Sequence, residues 1–359
     1  MLDSWRGIAA FLVVGFHVGE RKPLGTFVGY SWIFVDFFFV LSGFVIAAAY
    51  AKRLRAGMPL RRFALLRVGR LLPVHWLVLA LWLAKNGLQA AFGIERAGND
   101  QTLVGFIATL FLIQALHNPT PGDWSPQSWS ISVEMLLYLA MALVCRWAGR
   151  FVFAVAAVSA LAAIAILAVA QGTADASIDT DIVRGVAGFG SGVCAWWLWQ
   201  AGLGERARCA HAGLMALLEL LAAAMLVVFV SSELPTTGSP LAPAVFSLVI
   251  LVFAGERGPT SRLLASTPFV WLGILSYSLY MIHVLALAGA LLVERLATQF
   301  DVARAIVGSA FGFLALTAAM SLAAAWVLWR FVEAPSRAWS RKIADFWGVG
   351  REESVSPAM

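Results

Sequence analysis

The feature that most constrains this chain is a succession of apolar stretches, each close to the length that a lipid bilayer requires. Of its 359 residues, 61% are hydrophobic and only 13% are charged, whereas soluble domains carry about 25% charged residues. A helix that spans a bilayer needs roughly 17–25 residues. Eleven stretches approach that length: 5–20, 28–50, 71–86, 103–116, 128–145, 151–171, 183–201, 212–231, 241–254, 267–293 and 305–331. The sequence therefore predicts an all-α polytopic membrane protein.

The basic residues between these stretches predict the orientation of the chain. The segment from Ala51 to Arg70 contains seven lysines and arginines and no acid, so the positive-inside rule assigns it and the N-terminus to the cytoplasm. If all eleven stretches crossed, the later basic turns would lie outside and the acidic loop at 175–181 inside. The stretch 103–116 is the shortest, and such a length is typical of a re-entrant or interfacial segment. We therefore predict about ten transmembrane helices plus this short segment, with both termini cytoplasmic.

Composition also limits the partners of the chain. The net charge of +6 is accounted for by basic cytoplasmic loops, so we expect a lipid bilayer and no nucleic acid as partner. The three cysteines, Cys145, Cys194 and Cys209, lack the spacing of metal ligands, so we expect no metal. The sequence leaves the oligomeric state open.

Two ionisable side chains lie within the first apolar stretch. Arg6 and His17 are eleven positions apart, which at 3.6 residues per turn puts them on one helix face, about 16 Å apart along the axis. An ionisable group inside a bilayer costs several kcal/mol. We therefore expect this face to line a functional cavity rather than to contact lipid.

Two histidines and two carboxylates are predicted at similar depth in the outer half of the bilayer, namely His17, Asp36, Glu134 and His283. A histidine can accept a proton from a hydroxyl, and a nearby carboxylate can orient its ring and stabilise the imidazolium. The cluster therefore suits proton transfer, with His17 as general base and Glu134 as its carboxylate. Two alternatives stay open: a histidine that only hydrogen-bonds a neighbouring helix, and an Asp36 that only pairs with an arginine.

Other polar residues fall at helical spacings. Ser130, Glu134 and Tyr138 follow one another every four residues, so we expect one stripe facing a cavity. Ser42 and Gly43 are expected to serve close helix packing through small residues.

Arg67 and Arg70 are neighbours on one helix face at the predicted inner mouth of the third stretch. Each guanidinium can bind phosphate oxygens bidentately, so the pair suits a ligand that carries phosphate. The alternative is contact with anionic lipid headgroups, which explains the basic residues from Lys52 to Arg62.

Seven stretches follow one another along nearly the whole chain: LDSWRGIAAFLVVGFHV from Leu2, VDFFFVLSGFVI from Val35, the pair Arg67 and Arg70 before Pro73, WSISVEMLLY from Trp129, VRGVAGFGSG from Val183, LGILSYSLYMIH from Leu272 and FVEAPSRAW from Phe331. In this order and spacing they resemble the acyltransferase-3 family of membrane O-acyltransferases, which modify polysaccharides and other sugar-bearing molecules. Any one stretch alone would be a weak indication.

The resemblance implies transfer of an acyl group, with acetyl the expected one, from cytoplasmic acyl-coenzyme A to a hydroxyl of a sugar or glycoside acceptor. It also implies ten core spans. Arg6, Arg67 and Arg70 would bind the donor, and His17 and Glu134 would be catalytic. The candidate substrate-binding residues are Asp36, Ser130, Tyr138, Arg184, Tyr280 and His283.

The resemblance extends over residues 1–335 as an acyltransferase-3 transmembrane domain, which leaves 336–359 as a cytoplasmic tail. The expected location is the bacterial cytoplasmic (inner) membrane. A second hypothesis is a proton-coupled transporter whose intramembrane histidines and acids relay protons. The sequence has no inverted repeat that would favour it.

Overall fold

The computed structural model of the chain describes residues 1–93, 102–116, 124–172, 180–232, 239–297 and 307–346. Within these ranges all regular structure is helical, and no strand is present. In this part of the chain, helices long and apolar enough to cross a membrane are Ser31–Arg55, Leu60–Ala91, Pro126–Trp147, Gly149–Ala170, Ala212–Ser231, Thr267–Ala297 and Ala310–Phe346. The predicted all-α, multi-pass membrane protein is confirmed.

The main helices of the described residues, in chain order, are α1 Leu2–Gly19, α2 Ser31–Arg55, α3 Leu60–Ala91, α4 Leu103–Leu110, α5 Trp129–Trp147, α6 Val152–Gly172, α7 Thr180–Leu198, α8 Ala212–Ser231, α9 Ala242–Phe253, α10 Thr267–Ala297, α11 Ala310–Leu328 and α12 Ala334–Phe346. Helix α2 contains a π-helical turn at Ala47–Ala51, before its last turn Lys52–Arg55. Two further π-helical turns are Trp199–Leu203, after α7, and Trp329–Glu333, which joins α11 to α12.

Helix α4 is much shorter than the other apolar helices. Its eight residues rise about 12 Å, whereas the hydrocarbon core of a bilayer is about 30 Å thick. The helix then breaks at Leu112, whose φ is 55°. The ring Nε2 of His75 on α3 is 2.7 Å from the carbonyl oxygen of Thr109 and holds α4 against α3. The segment 103–116 therefore contains no helix that could cross.

The basic segment before the third predicted span is more ordered than the sequence indicates. That span was expected from residue 71, but α3 begins at Leu60 and includes both Arg67 and Arg70. Charged residues lower the mean hydropathy of the first turns, so hydropathy alone misses the true start of the helix. Arg67 and Arg70, expected as neighbours on one helix face, therefore lie within this helix, several residues after its start.

Helix α12 begins inside the membrane domain and continues into the predicted tail. It packs against α3, where Gly69 lies so close to Ser340 that a Cβ at position 69 would overlap the Ser340 side chain. Residues 336–346 of the predicted tail are thus helical and packed on α3, and the rest of that tail lies outside the described residues.

Glycines allow close approach at several other helix crossings, two of which bear on the candidate site. At the crossing of α1 and α10, a Cβ added to Gly7 would lie 2.5 Å from the backbone nitrogen of Gly273. At the crossing of α2 and α7, a Cβ on Gly43 would overlap the carbonyl of Phe189. Small residues permit such contacts between membrane helices. The predicted packing role of Gly43 is confirmed, and the first crossing brings Arg6 against α10.

Candidate active site

Polar side chains inside the helical bundle line two cavities. The arginine cavity lies among α1, α2, α3, α5 and α10, and its polar lining is Arg6, Ser42, Arg67, Arg70, Ser130, Glu134, Tyr138, Ser276, Tyr277 and Tyr280. The histidine cavity is bounded by α1, α2, α5, α7 and α10, and its polar and tryptophan lining is His17, Trp32, Gln127, Trp129, Asp181, Arg184, Tyr280 and His283. Tyr280 lines both cavities and therefore stands at their junction.

Arg6 and His17 both face α10, as their spacing predicts. Arg6 Nε donates to the Ser276 hydroxyl at 2.7 Å, and its Nη2 donates to the Gly273 carbonyl at 3.3 Å. These two hydrogen bonds hold the Arg6 end of this face of α1 in the arginine cavity. At the other end, the ring of His17 lies 5.1 Å from the ring of His283, centroid to centroid. The shared face of α1 thus runs from one cavity to the other.

Arg67 is a buried cation held mainly by aromatic side chains. Arg67 is only 8% exposed. Its Nη2 donates to the Tyr50 hydroxyl at 2.7 Å. The guanidinium carbon is 4.8 Å from the centroid of the Tyr50 ring and 5.7 Å from that of Tyr138, which are cation–π distances. The Nε has no hydrogen-bond partner among the described residues. Arg67 therefore keeps donor capacity for an anionic ligand.

Glu134 lies in the arginine cavity and is not brought to His17. Its carboxylate accepts hydrogen bonds from the hydroxyls of Ser42 and Tyr138. The expected pairing of Glu134 with His17 is therefore not formed, because the two side chains line different cavities. The sequence placed them at similar depth, but depth along a helix does not fix which neighbours the helix faces.

The carboxylate beside His17 is that of Glu20. The ring Nδ1 of His17 and the Oε2 of Glu20 are 2.8 Å apart. A carboxylate can only accept a hydrogen bond, so Nδ1 carries a proton and the neutral ring presents its lone pair at Nε2. The sequence contains the signal for this pair, since Glu20 follows His17 by three residues, the spacing of neighbours on a helix.

His283 is oriented in a similar way by its own helix. Its Nδ1 lies 2.5 Å from the carbonyl oxygen of Tyr280, which can only accept, so Nε2 again carries the lone pair. That Nε2 is buried and has no hydrogen-bond partner among the described residues. The histidine cavity therefore contains two imidazoles whose Nδ1 atoms are engaged.

Asp36 forms a buried ion pair with Arg184. Arg184 Nε donates to Oδ1 at 3.1 Å and Nη2 donates to Oδ2 at 2.9 Å, a bidentate geometry. The guanidinium carbon lies 5.1 Å from the ring centroid of Trp32 and 5.3 Å from that of Trp129. Asp36 thus pairs with an arginine, the alternative left open above, while Arg184 also lines the histidine cavity.

The predicted stripe on α5 faces one cavity. Ser130, Glu134 and Tyr138 all line the arginine cavity, and the Ser130 hydroxyl lies 2.7 Å from the Tyr280 hydroxyl at the junction. Sequence reasoning missed Ser42, which it assigned to packing, although this side chain donates to Glu134. Tyr277 lines the same cavity, but its hydroxyl donates to the Leu71 carbonyl at 2.6 Å and so has a structural partner.

Comparison with known proteins gives two matches. Residues 2–330 match the family described as "Acyltransferase domain" (Acyl_transf_3). Over 165 residues the chain is 32% identical to "Protein 2 in picA locus" of Rhizobium radiobacter, an alignment that covers 42% of this chain and 82% of that protein. No solved structure matches the chain.

Proposed function

This chain belongs to the Acyl_transf_3 family of membrane acyltransferases, and we propose that it moves an acyl group, with acetyl the expected one, from acyl-coenzyme A to a hydroxyl of a sugar or glycoside. The observation that carries the proposal is that the arginine cavity and the histidine cavity meet at Tyr280. A charged donor and a hydroxyl acceptor could therefore approach one another from opposite sides of a buried junction.

The donor would bind in the arginine cavity. Arg67 and Arg70 bind the phosphates, because guanidiniums hold phosphate oxygens bidentately. Arg6 lies farther in, fixed by Ser276 and Gly273, and lines the passage for the neutral pantetheine arm. The thioester then reaches the junction at Tyr280, while the charged head stays near the cavity mouth.

The acceptor would bind in the histidine cavity. A sugar presents apolar C–H faces and a rim of hydroxyls, and the rings of Trp32 and Trp129 offer apolar surface beside the Arg184 guanidinium. Gln127 Oε1 has no hydrogen-bond partner among the described residues, so it can accept from a hydroxyl. A neutral, hydroxyl-rich ligand suits this lining.

His17 acts as the general base in the proposed reaction. Its Nε2 takes the proton from the acceptor hydroxyl, and the oxygen attacks the carbonyl carbon of the thioester. The C–S bond breaks, the new C–O ester bond remains, and the coenzyme A thiolate takes the proton from the imidazolium and leaves as the thiol. Glu20, 2.8 Å from Nδ1, stabilises the imidazolium between these proton transfers. Glu134 remains a candidate on the donor side.

The proposed topology has ten crossings, α1 to α3 and α5 to α11, with α4 re-entrant and both termini in the cytoplasm of a bacterial inner membrane. Helix α9 has only twelve residues, so the charge of the flanking loops, and not helix length, assigns it as a crossing. In this topology the basic segments at 51–70, 146–150, 206–208 and 257–262 lie on the cytoplasmic side. Contacts at one end of the bundle support this topology, because they bring together segments that it assigns to the same side of the membrane. The N-terminal ammonium is 3.3 Å from Glu256 Oε1, and Arg257 donates to the Arg208 carbonyl.

Cysteine labelling tests this topology. In a variant without the native cysteines, a cysteine at position 177 should react with an impermeant reagent from outside, and one at position 258 only from the cytoplasm. Because Gly258 is buried against the Glu219 carboxylate, a cysteine in place of the exposed Arg262, on the short helix Pro259–Leu264 that follows, is the better cytoplasmic site. Labelling of position 177 from the cytoplasm alone would contradict the ten-crossing arrangement.

Labelled donor tests the activity. Membranes containing the wild-type protein, incubated with acyl-labelled acetyl-coenzyme A and a glycan extract, should transfer label to the glycan, and membranes with His17→Ala should not. Mass spectrometry of surface glycans with and without the gene then identifies the acceptor. Proton-dependent uptake of a solute without any transfer of label would instead favour the second hypothesis, a proton-coupled transporter.

A further inference from the structure

A third cavity adjoins the arginine cavity where α12 packs against α3. This vestibule is lined by Tyr50, Arg67, Arg70, Arg337, Ser340 and Arg341, together with apolar side chains of α2 and α3. Arg67 and Arg70 line the arginine cavity as well. The two spaces therefore share the pair of arginines that would hold the phosphates of the donor.

The vestibule contains more positive charge than the nearby acidic side chains neutralise. Four arginines contribute to its described lining, which contains no acidic side chain. Arg337 Nη1 is 3.3 Å from Glu333 Oε1, and that buried carboxylate also accepts from Ser278 at 2.8 Å. Arg341 is exposed and has no ion pair with a described residue. Like charges held close together repel, so this arrangement favours a ligand with several negative charges.

Packing fixes α12 relative to α3. Ser340 of α12 packs directly against Gly69 of α3, and any side chain at position 69 would overlap Ser340. Arg62 Nη2 of α3 donates to Asp345 Oδ1 of α12 at 3.0 Å. Residues four positions apart lie on one helix face, so Arg337 and Arg341 are presented together toward the vestibule. The two arginine pairs are thus held on two helices that are fixed to one another.

We propose that Arg337 and Arg341 bind the ribose phosphate monoester of coenzyme A, while Arg67 and Arg70 bind its diphosphate. The inference rests on the proposed function, since it requires acyl-coenzyme A as the donor. Along coenzyme A the order is thioester, pantetheine, diphosphate and then ribose phosphate. Along the cavities, Tyr280 is shared with the histidine cavity, the pair on α3 is shared with the vestibule, and the pair on α12 lines the vestibule but not the arginine cavity. Helix α12 is therefore part of the donor site and binds the ribose phosphate, which is remote from the thioester.

Equilibrium binding of coenzyme A and of dephospho-coenzyme A, which lacks only the monoester, tests the inference. The wild-type protein, purified in detergent without anionic lipid, should bind coenzyme A at least tenfold more tightly. Arg341→Ala and Arg337→Lys should weaken coenzyme A binding and leave dephospho-coenzyme A unchanged, so that the ratio falls toward one. Arg67→Ala should weaken both ligands by similar factors. Lys342→Ala removes a neighbouring exposed charge that does not line the vestibule, and it should leave the ratio unchanged.

Each other outcome points to a different failure. No binding of either ligand by the wild-type protein overturns the proposed function and this inference with it. Binding of both ligands with equal affinity, or a wild-type ratio that survives in Arg341→Ala, overturns the inference alone. An effect of Arg341→Ala that appears only in nanodiscs containing phosphatidylglycerol also overturns it, because the arginine would then bind lipid headgroups.

Discussion

The arginine cavity and the histidine cavity hold their charges in different ways. In the arginine cavity, Arg67 is held by the hydroxyl and ring of Tyr50, and its Nε is left without a described partner. In the histidine cavity, Arg184 pairs with the carboxylates of Asp36 and Asp181, and His17 has Glu20 at its Nδ1. An unneutralised cation attracts an external anion, whereas paired charges favour a neutral ligand. The contrast therefore supports the proposal that a phosphate-bearing donor binds in the arginine cavity and a neutral acceptor in the histidine cavity.

The largest expected effect comes from removing the proposed base. His17→Ala should bind acetyl-coenzyme A normally, because His17 lies outside the arginine cavity, yet lose roughly 10²–10⁴-fold in turnover, the usual contribution of a general base. The measurement is label transfer at saturating donor and acceptor, with donor binding measured on the same preparation.

His283→Ala separates the two imidazoles of the histidine cavity. If His17→Ala keeps near-normal turnover while His283→Ala abolishes it, the base is His283 and the role of His17 is structural. The folded state of both variants is checked by their elution and thermal transition relative to the wild-type protein.

The next effect concerns the donor. Arg67→Ala or Arg70→Ala should weaken acetyl-coenzyme A binding by about 10- to 150-fold, since each lost charge-assisted contact is worth ~1.5–3 kcal/mol. Lysine should restore only part of the affinity because it lacks the bidentate fork. Arg61→Ala, an exposed change on the same helix, serves as the control. Normal affinity in both alanine variants of a folded protein would return these arginines to contact with lipid headgroups.

A smaller effect distinguishes the carboxylates of the two cavities. Glu20→Gln keeps a hydrogen-bond acceptor at His17 but removes the charge, so the imidazolium is less stabilised. Turnover should fall by about tenfold or less, because the exposed pair is screened by solvent. Glu134→Gln should also impair transfer, but on the donor side: because Glu134 lines the arginine cavity, it should change the affinity for acetyl-coenzyme A, which Glu20→Gln should leave unchanged. The reverse pattern would make Glu134 the partner of His17.

Sequence reasoning predicted the residues of both cavities better than their pairings. Residue type and helical spacing identify Arg6, His17 and the pair on α3 as polar groups that require a cavity, because lipid cannot solvate them. These properties are local, so one sequence is enough. The partner of each group depends on helix rotation and crossing, and so Glu134 was paired with His17 although it faces Ser42.

For the fold too, local properties of the sequence were predicted better than contacts between helices. Apolar length and loop charge predict which segments are membrane helices, and the short α4 agrees with the weakest of those segments. The two extensions of helix through charged residues, at the start of α3 and in α12, were not predicted. They are stabilised by contacts with one another, such as Gly69 with Ser340, rather than by apolar surface facing lipid.

The smallest expected effect tests the junction itself. Tyr280→Phe keeps the ring that separates the cavities and removes the hydroxyl that lies 2.7 Å from Ser130 Oγ. Loss of one hydrogen bond should lower turnover by about three- to tenfold, with donor affinity unchanged. Tyr277→Phe is the matched control, since Tyr277 is buried on the same helix, donates to the Leu71 carbonyl and lines only the arginine cavity. It should leave turnover within about twofold of the wild type. Equal losses in the two variants would mean that buried hydroxyls on α10 support the helix in general. The Tyr280 hydroxyl would then have no special role at the junction of the two cavities.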